Sequence, residues 1–267
     1  MATSGDDSLG TRQAFFLDRA VQKARPLVAS NERIYAIGDI HGRLDLLLEL
    51  LEKIAADGHE KTDGRRARIV FLGDYIDRGE DPKGVLDLLA RMAEFHSENL
   101  IFLRGNHEEA LDTFLAAPRE GRDWLDFGAQ QTLASFGVAP PRGRVGSFEL
   151  FRIRSELGSA LQPYRGFLAG LRNGFRSGDV VFSHAGLDPS RAWDQQPARA
   201  LLWSHPGVLR DNPVPGLRVV HGHFDEAAPV CKPGRICVDT GAYYSNRLTA
   251  VRLDDEDAFL VAGSGLS

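Results

Sequence analysis

Apolar residues in the first half of the chain come in short bursts, and each burst is closely followed by a glycine. Arg33 to Ile37 reads as a buried strand running into Gly38, Arg68 to Leu72 as a second running into Gly73, and Leu100 to Leu103 as a third just before Gly105. Between them the apolar spacing changes to a helical one. Leu44 to Ile54 is dense in leucine at that spacing, Pro82 to Phe95 carries its proline in the first turn, and His107 to Leu115 starts a third helix. Strand, loop and helix in alternation predict a βαβ core with a parallel sheet. Upstream, residues 1–10 are polar and predicted to be disordered, whereas residues 11–28 have an apolar face (Ala14, Phe15, Leu17, Val21) that predicts an extra helix.

The rhythm then changes. Pro118 to Gly178 holds helical stretches rich in arginine and broken by glycine and proline, and is expected to be a helical insertion or lid at about 118–178. Val180 to Ser183 resumes the strands. From Leu217 onward the pattern is β-rich, with strands expected at Arg218 to Val220, Ala228 to Cys231, Ile236 to Val238, Leu248 to Leu253 and Ala258 to Val261. A β-rich second half beside a βαβ first half predicts two packed sheets with helices outside, in a single α/β domain over 11–267.

Composition narrows the classes. A chain of 267 residues with 43% apolar and 26% charged residues suits one large soluble domain. No apolar run approaches the roughly 20 residues of a membrane span. Met1 to Gly10 lacks the basic start and apolar middle of a signal peptide, so a cytoplasmic location is expected. The net charge of −5, with no basic stripe, speaks against nucleic acid as partner. Cys231 and Cys237 flank a hairpin tip at Pro233-Gly234; Cys231 is expected opposite Ile236 and Cys237 opposite Val230, on opposite sheet faces. Both are expected to be buried and unbridged.

Three loops share one design, each following an apolar strand and combining glycine with metal-type ligands: Gly38-Asp39-Ile40-His41-Gly42, Gly73-Asp74-Tyr75-Ile76-Asp77-Arg78-Gly79 and Gly105-Asn106-His107-Glu108. Two later strands run into His184-Ala185-Gly186 and His221-Gly222-His223. Sites in open α/β sheets form at the carboxyl ends of strands, where such loops converge. Together they offer Asp39, His41, Asp74, Asn106, His184 and at least one of His221 and His223. Mixed carboxylate, imidazole and amide donors suit manganese, iron or zinc and are too rich in nitrogen for calcium. A shared carboxylate such as Asp74 can bridge two ions that together clamp a phosphate.

At these residues the chain resembles the phosphoprotein phosphatase family of metallophosphoesterases, bacterial serine/threonine phosphatases in particular, from about Ile34 to Ala250. The resemblance implies a four-layer αββα sandwich of two mixed sheets. It implies two divalent ions, manganese foremost with iron or zinc as alternatives. One would be held by Asp39, His41 and Asp74, the other by Asp74, Asn106, His184 and His223, with His221 beside the site. A hydroxide bridging the metals would attack phosphorus, His107 would be the general acid oriented by Asp77, and Arg78 would bind phosphate oxygens, with Arg104 a weaker candidate. Where bacterial members of the family often carry a second phosphate-binding arginine, two residues after Trp203, this chain has His205, a candidate rim residue; Arg210 or the cationic form of His205 could replace that arginine. The stretch Asp239 to Tyr244 takes the place of the family's substrate-rim loop, with Tyr243 a candidate rim residue.

Two substrate classes follow. The first is a phosphoserine or phosphothreonine protein or peptide. The alternative is a dinucleoside tetraphosphate, cleaved by bacterial relatives with nearly the same motifs; it calls for a deeper basic pocket, which Arg142, Arg144, Arg152 and Arg154 could build, although a solvated helical face is the favoured reading of these arginines. A catalytically dead module is disfavoured because all six ligands, His107 and Asp77 are present. The full Asp-Arg-Gly ending of the second motif and the acidic net charge argue against a nuclease.

Overall fold

A computed structural model describes residues 27–95, 98–143, 145–205, 208 and 214–263. The disordered terminus and the helix expected within 1–28 lie almost wholly outside these residues.

The first sheet has the order β10-β9-β1-β2-β3, built from β1 (Glu32–Ile37), β2 (Arg66–Phe71), β3 (Leu100–Phe102), β9 (Leu248–Leu253) and β10 (Ala258–Ala262). β1, β2 and β3 run parallel, and β9 and β10 add antiparallel strands. The second sheet has the order β4-β5-β6-β8-β7, built from β4 (Gly174–Ser177), β5 (Val180–Ser183), β6 (Arg218–His221), β7 (Val230–Lys232) and β8 (Arg235–Cys237). Here β5, β6 and β8 are parallel.

Strand alternation explains the layers. Ile34 and Ala36 of β1 point into a core shared with Phe182, Val220 and Ile236 of the second sheet. Tyr35 and Ile37 point the other way, onto helices. β1 is therefore apolar on both faces and reads as a continuous run. Against its outer face lie α1 (Leu44–Glu60), through Leu46, Leu47, Leu50 and Ile54, and α2 (Pro82–Phe95), through Val85, Leu86 and Leu89. Each such leucine contributes about 1.5–3 kcal/mol when fully buried. On the far side, Val181 and Val219 of the second sheet pack on Leu201 of α7 (Ala198–Trp203). The result is the αββα sandwich of two mixed sheets expected from the sequence.

α3 (Asn106–Ala116) follows β3. The arginine-rich stretch then folds as a 3₁₀ turn (Arg122–Asp126), α4 (Ala129–Ser135), α5 (Ser147–Ala160) and α6 (Arg165–Ala169). Its last residues form β4, the edge strand of the second sheet, so strand structure begins before Gly178. Trp124, Leu133, Ile153 and Leu157 join the helix-side core, which is how a packed layer behaves rather than a detached lid.

The hairpin register is Val230↔Cys237 and Cys231↔Ile236, as the tip residues predict. Only Cys237 is buried. Cys231 is exposed, because β7 is the outermost strand of its sheet.

Candidate active site

The carboxyl ends of β1, β2, β3, β5, β6 and β8 meet at one rim, and every motif loop starts there. The loops are tight enough to force unusual backbone. His41, Asp74, Asp77, Arg78 and His223 all have left-handed φ, from 43° to 68°. Each such non-glycine residue costs on the order of 1–3 kcal/mol and is retained only where the surroundings impose it. Gly73 (φ 106°) lets the second loop approach the third: a Cβ there would sit 2.5 Å from the Gly105 nitrogen.

Asp74 is central. Its Oδ2 lies 3.4 Å from His41 Nε2 and its Oδ1 3.5 Å from His184 Nε2. His41, Asp74 and His107 form one group of converging donor atoms, and Asp74, His184 and His223 form another. Asn106 joins the second through Oδ1, 2.7 Å from His184 Nε2 and 3.0 Å from His223 Nδ1. Asp39 closes the centre behind them, accepting the His223 backbone N–H at 3.0 Å.

These residues fit divalent ions. His41 Nδ1–H donates to the Ile76 carbonyl at 2.8 Å and His184 Nδ1–H to the Leu72 carbonyl at 3.0 Å, so both present an Nε2 lone pair to the centre. The His184 lone pair then faces the Asn106 carbonyl oxygen, acceptor against acceptor, a contact that a cation resolves. Burial pushes the pKa of His41 and of His223 down to about 3, keeping both in the neutral, ligating form at pH 7. Burial, then the charges of Asp239 and Asp74, drive Asp39 well above the carboxylate range. Cations would relieve that crowding.

His107 is different. Its Nδ1–H donates to Asp77 Oδ2 at 2.7 Å, while Nε2 points to the centre, 3.8 Å from Asp74 Oδ2. Burial opposes its charge, yet Asp74 and Asp77 outweigh burial and raise its pKa. Neighbouring imidazoles pushed in opposite directions suit different tasks: His41 as ligand, His107 as proton donor.

Arg78 reaches over the rim, its guanidinium 5.0 Å from the Tyr243 ring centre, and the Tyr243 ring lies 5.6 Å from that of His41. Tyr243 sits on a helical turn (Ala242–Ser245) that Arg43 ties down through the Ala242 carbonyl at 2.8 Å and Asn246 Oδ1 at 2.5 Å. Beside Arg78 opens a cavity of about 720 Å³, walled by Arg43, Leu48, Glu80, Gln131 and Tyr243. His205 is on the opposite rim, 6.4 Å from the Phe224 ring, which packs against His223.

Some candidates lie elsewhere. Arg104 pairs with Asp112 at 2.9 Å and donates to the Leu168 carbonyl, away from the centre. His221 is buried, held by Arg235 and the Gly222 carbonyl. Arg152 is taken up by Glu149 and Glu156 of its own helix, and Arg154 by the Leu115 carbonyl, so both belong to a solvated helical face and not to a basic pocket. Arg210 and Arg144 lie outside the described residues.

Four supporting residues go beyond the ligands and acid expected from the motifs. Glu108 accepts the backbone N–H groups of Asp74, Tyr75 and Gly105. Asp239, two residues past the end of β8, is buried beside Asp39, and its charge helps to raise the Asp39 pKa. Trp124 and Thr132 both donate to Asp77. Glu108 and Asp239 had a sequence signal in their place, one closing the third motif loop and the other opening the rim loop; Trp124 and Thr132 had none.

The chain is similar to several known proteins. The chain is 23% identical over 237 residues to the asymmetrical bis(5'-nucleosyl)-tetraphosphatase PrpE of Halalkalibacterium halodurans, covering 82% of this chain and 89% of that protein. It is 33% identical over 115 residues to the serine/threonine-protein phosphatase BSL2 of Arabidopsis thaliana, covering 37% of this chain and 11% of that much longer protein. The crystal structure of a putative diadenosine tetraphosphatase superposes with a TM-score of 0.54 at 19% identity, over 90% of this chain and all of the other. The model of the calcineurin-like phosphoesterases matches residues 32–254, from the start of β1 to the end of β9, and so takes in every loop of the site. With all those loops meeting at one rim, the chain belongs to the calcineurin-like phosphoesterase family, metal-dependent hydrolases of phosphate esters.

Proposed function

We propose that this phosphoesterase hydrolyses dinucleoside polyphosphates of the tetraphosphate class. The observation that carries the reading is coverage. In sequence, the similarity to three dinucleoside tetraphosphatases covers 82–85% of the chain, whereas that to two Arabidopsis thaliana protein phosphatases covers 37% and 58%; in fold, tetraphosphatase and serine/threonine phosphatase structures match over similar shares, 90% and 96%. The cavity beside Arg78 supports it: about 720 Å³ with a tyrosine wall, an amide and a carboxylate suits a nucleoside.

The proposed ligands are Asp39, His41 and Asp74 for one ion and Asp74, Asn106, His184 and His223 for the other, with manganese as the proposed metal and iron or zinc as alternatives. When bound, the ions supply charge neutralisation on phosphate oxygens and a water of lowered pKa. Arg78 binds and orients the phosphoryl oxygens. His107 Nε2 gives its proton to the leaving oxygen, and Asp77 keeps that ring aimed and charged.

A second reading, a phosphoserine or phosphothreonine phosphatase, is favoured by charge. Among the described residues, Arg78 is the arginine that reaches the rim without a carboxylate partner, while Asp45, Glu80 and Asp81 line the adjoining cavity. That suits one phosphate with cationic neighbours better than a run of phosphates. The deciding experiment measures kcat/KM of manganese-loaded enzyme for nucleotide release from diadenosine tetraphosphate beside phosphate release from phosphoserine and phosphothreonine peptides. At least a tenfold preference for the dinucleotide is expected; the opposite preference would transfer the same site and chemistry to phosphoproteins.

A further inference from the structure

We infer that the segment from Trp124 to Thr132 is a positioning clamp for Asp77 and Arg78, with separate parts setting the proton donor and the phosphate anchor. The inference rests on the roles proposed above for His107 and Arg78.

Asp77 and Arg78 are consecutive non-glycine residues, both left-handed, with φ of 68° and 67°. Something outside their own loop must hold them. The Asp77 carboxylate is wholly buried and accepts three donors: His107 Nδ1–H on Oδ2 at 2.7 Å, Trp124 Nε1–H on Oδ2 at 2.9 Å, and the Thr132 hydroxyl on Oδ1 at 2.5 Å. The same hydroxyl oxygen accepts the Asp77 backbone N–H at 2.9 Å, so one threonine grips both ends of the residue. Two of the donors come from 47 and 55 residues away. With its lone pairs fixed in this way, the carboxylate has one orientation, and the His107 ring has one aim.

Arg78 is held from the same segment by different atoms. Its backbone N–H donates to the Gly128 carbonyl at 3.0 Å. Gly128 has a φ of 100°, and a Cβ there would fall 2.7 Å from Arg78 Cγ. The bare glycine thus gives the arginine stem room to lean toward Tyr243. Between the two grips, the Phe127 ring sits 6.1 Å from that of His107.

The two grips predict two signatures. Thr132→Val, nearly isosteric, removes the hydroxyl from Asp77. It is expected to lower kcat for phenyl phosphate at least tenfold more than for 4-nitrophenyl phosphate, whose leaving group needs no proton. KM and bound manganese should be unchanged, and Thr132→Ser should restore the rate. Trp124→Phe, which keeps most of the ring and loses the N–H, should move kcat in the same direction by less. Gly128→Ala should instead weaken inhibition by inorganic phosphate several-fold and raise KM for both esters alike. His107→Asn is the reference, since it must show the leaving-group split for the roles to stand. If it loses both esters equally, the assignment of His107 falls and this inference with it. If His107→Asn shows the split while Thr132→Val and Trp124→Phe lose both esters equally with lowered melting temperatures, the segment is only packing and the inference alone is overturned.

Discussion

The two ends of the first sheet are both charged and both buried, yet their charges are arranged oppositely. At the amino end of β1, Arg33 donates to Asp254 at 2.8 Å and to Asp63 at 2.6 Å. Arg252 pairs with Asp57 at 2.6 Å and with Asp254 at 3.2 Å, and the Tyr35 hydroxyl donates to Asp57 at 2.7 Å. Opposite charges meet here, on strand backbone without left-handed residues. At the carboxyl end of the same strand, carboxylates crowd one another, imidazole lone pairs face an amide oxygen, and the backbone is strained. Paired charge is chemically inert, and it is the loss of one partner that destabilises the fold. Unmatched acceptors converging on strained loops are a site waiting for cations.

The largest expected effect comes from removing the shared acceptor. Asp74→Asn should lower kcat/KM by more than about 100-fold, since even residues behind a metal's ligands are worth about 10–100-fold. The variant should also lose the stabilisation that manganese confers, which a melting curve with and without the ion measures. Near-normal activity would remove Asp74 from the centre. In the unaltered protein, chelation should lower the melting temperature. Restoring one ion at 100 times its Kd should return about 2.7 kcal/mol, or about 5–10 °C at this chain length.

The amino end should respond in the other currency. Asp254→Asn weakens contacts to two arginines and is expected to cost about 2–3 kcal/mol of stability. The metal-loaded variant should keep kcat and KM within about twofold of the parent, because Asp254 shares no partner with the site residues and distant, unconnected sites act independently. A loss of activity without loss of stability would break the division between the two ends.

That division was partly legible in the sequence. The apolar run of β1 needed no tertiary information, because a strand buried on both faces has no polar alternation to confuse it, and in β2 the same holds of its buried end, Val70 and Phe71. The loops were legible because glycine, aspartate and histidine recur at strand ends in fixed order. The partners of the charges were not. Thr132 and Trp124 look like ordinary helix residues until α4 and the 3₁₀ turn pack beside the second loop. Arg152 and Arg154 read as a basic surface because the helix that gives Arg152 its acidic neighbours is visible only as i,i+3 and i,i+4 spacing. β4 was missed because Gly174-Phe175-Arg176-Ser177 is a half-exposed edge strand with little apolar signal.

Arg104 gives the smallest and sharpest test, because sequence position and side-chain direction disagree. It directly precedes Gly105 and Asn106, so along the chain it is as near the centre as Arg78. Its guanidinium instead pairs with Asp112 of α3. Asp112 is six residues beyond Asn106, and at about 1.5 Å of rise per residue it lies about 9 Å along the helix from the end that faces the metals. Arg104→Ala should therefore change kcat/KM by less than about twofold and cost at most about 1 kcal/mol through the lost, half-exposed pair. Arg78→Ala should depress kcat/KM by about 100-fold, as loss of a preorganised charge on a reacting phosphoryl group does. Equal losses from the two variants would mean that Arg104 swings off Asp112 when substrate binds, and that the pairing of a charge in the resting enzyme is a poor guide to its role at this end of the sheet.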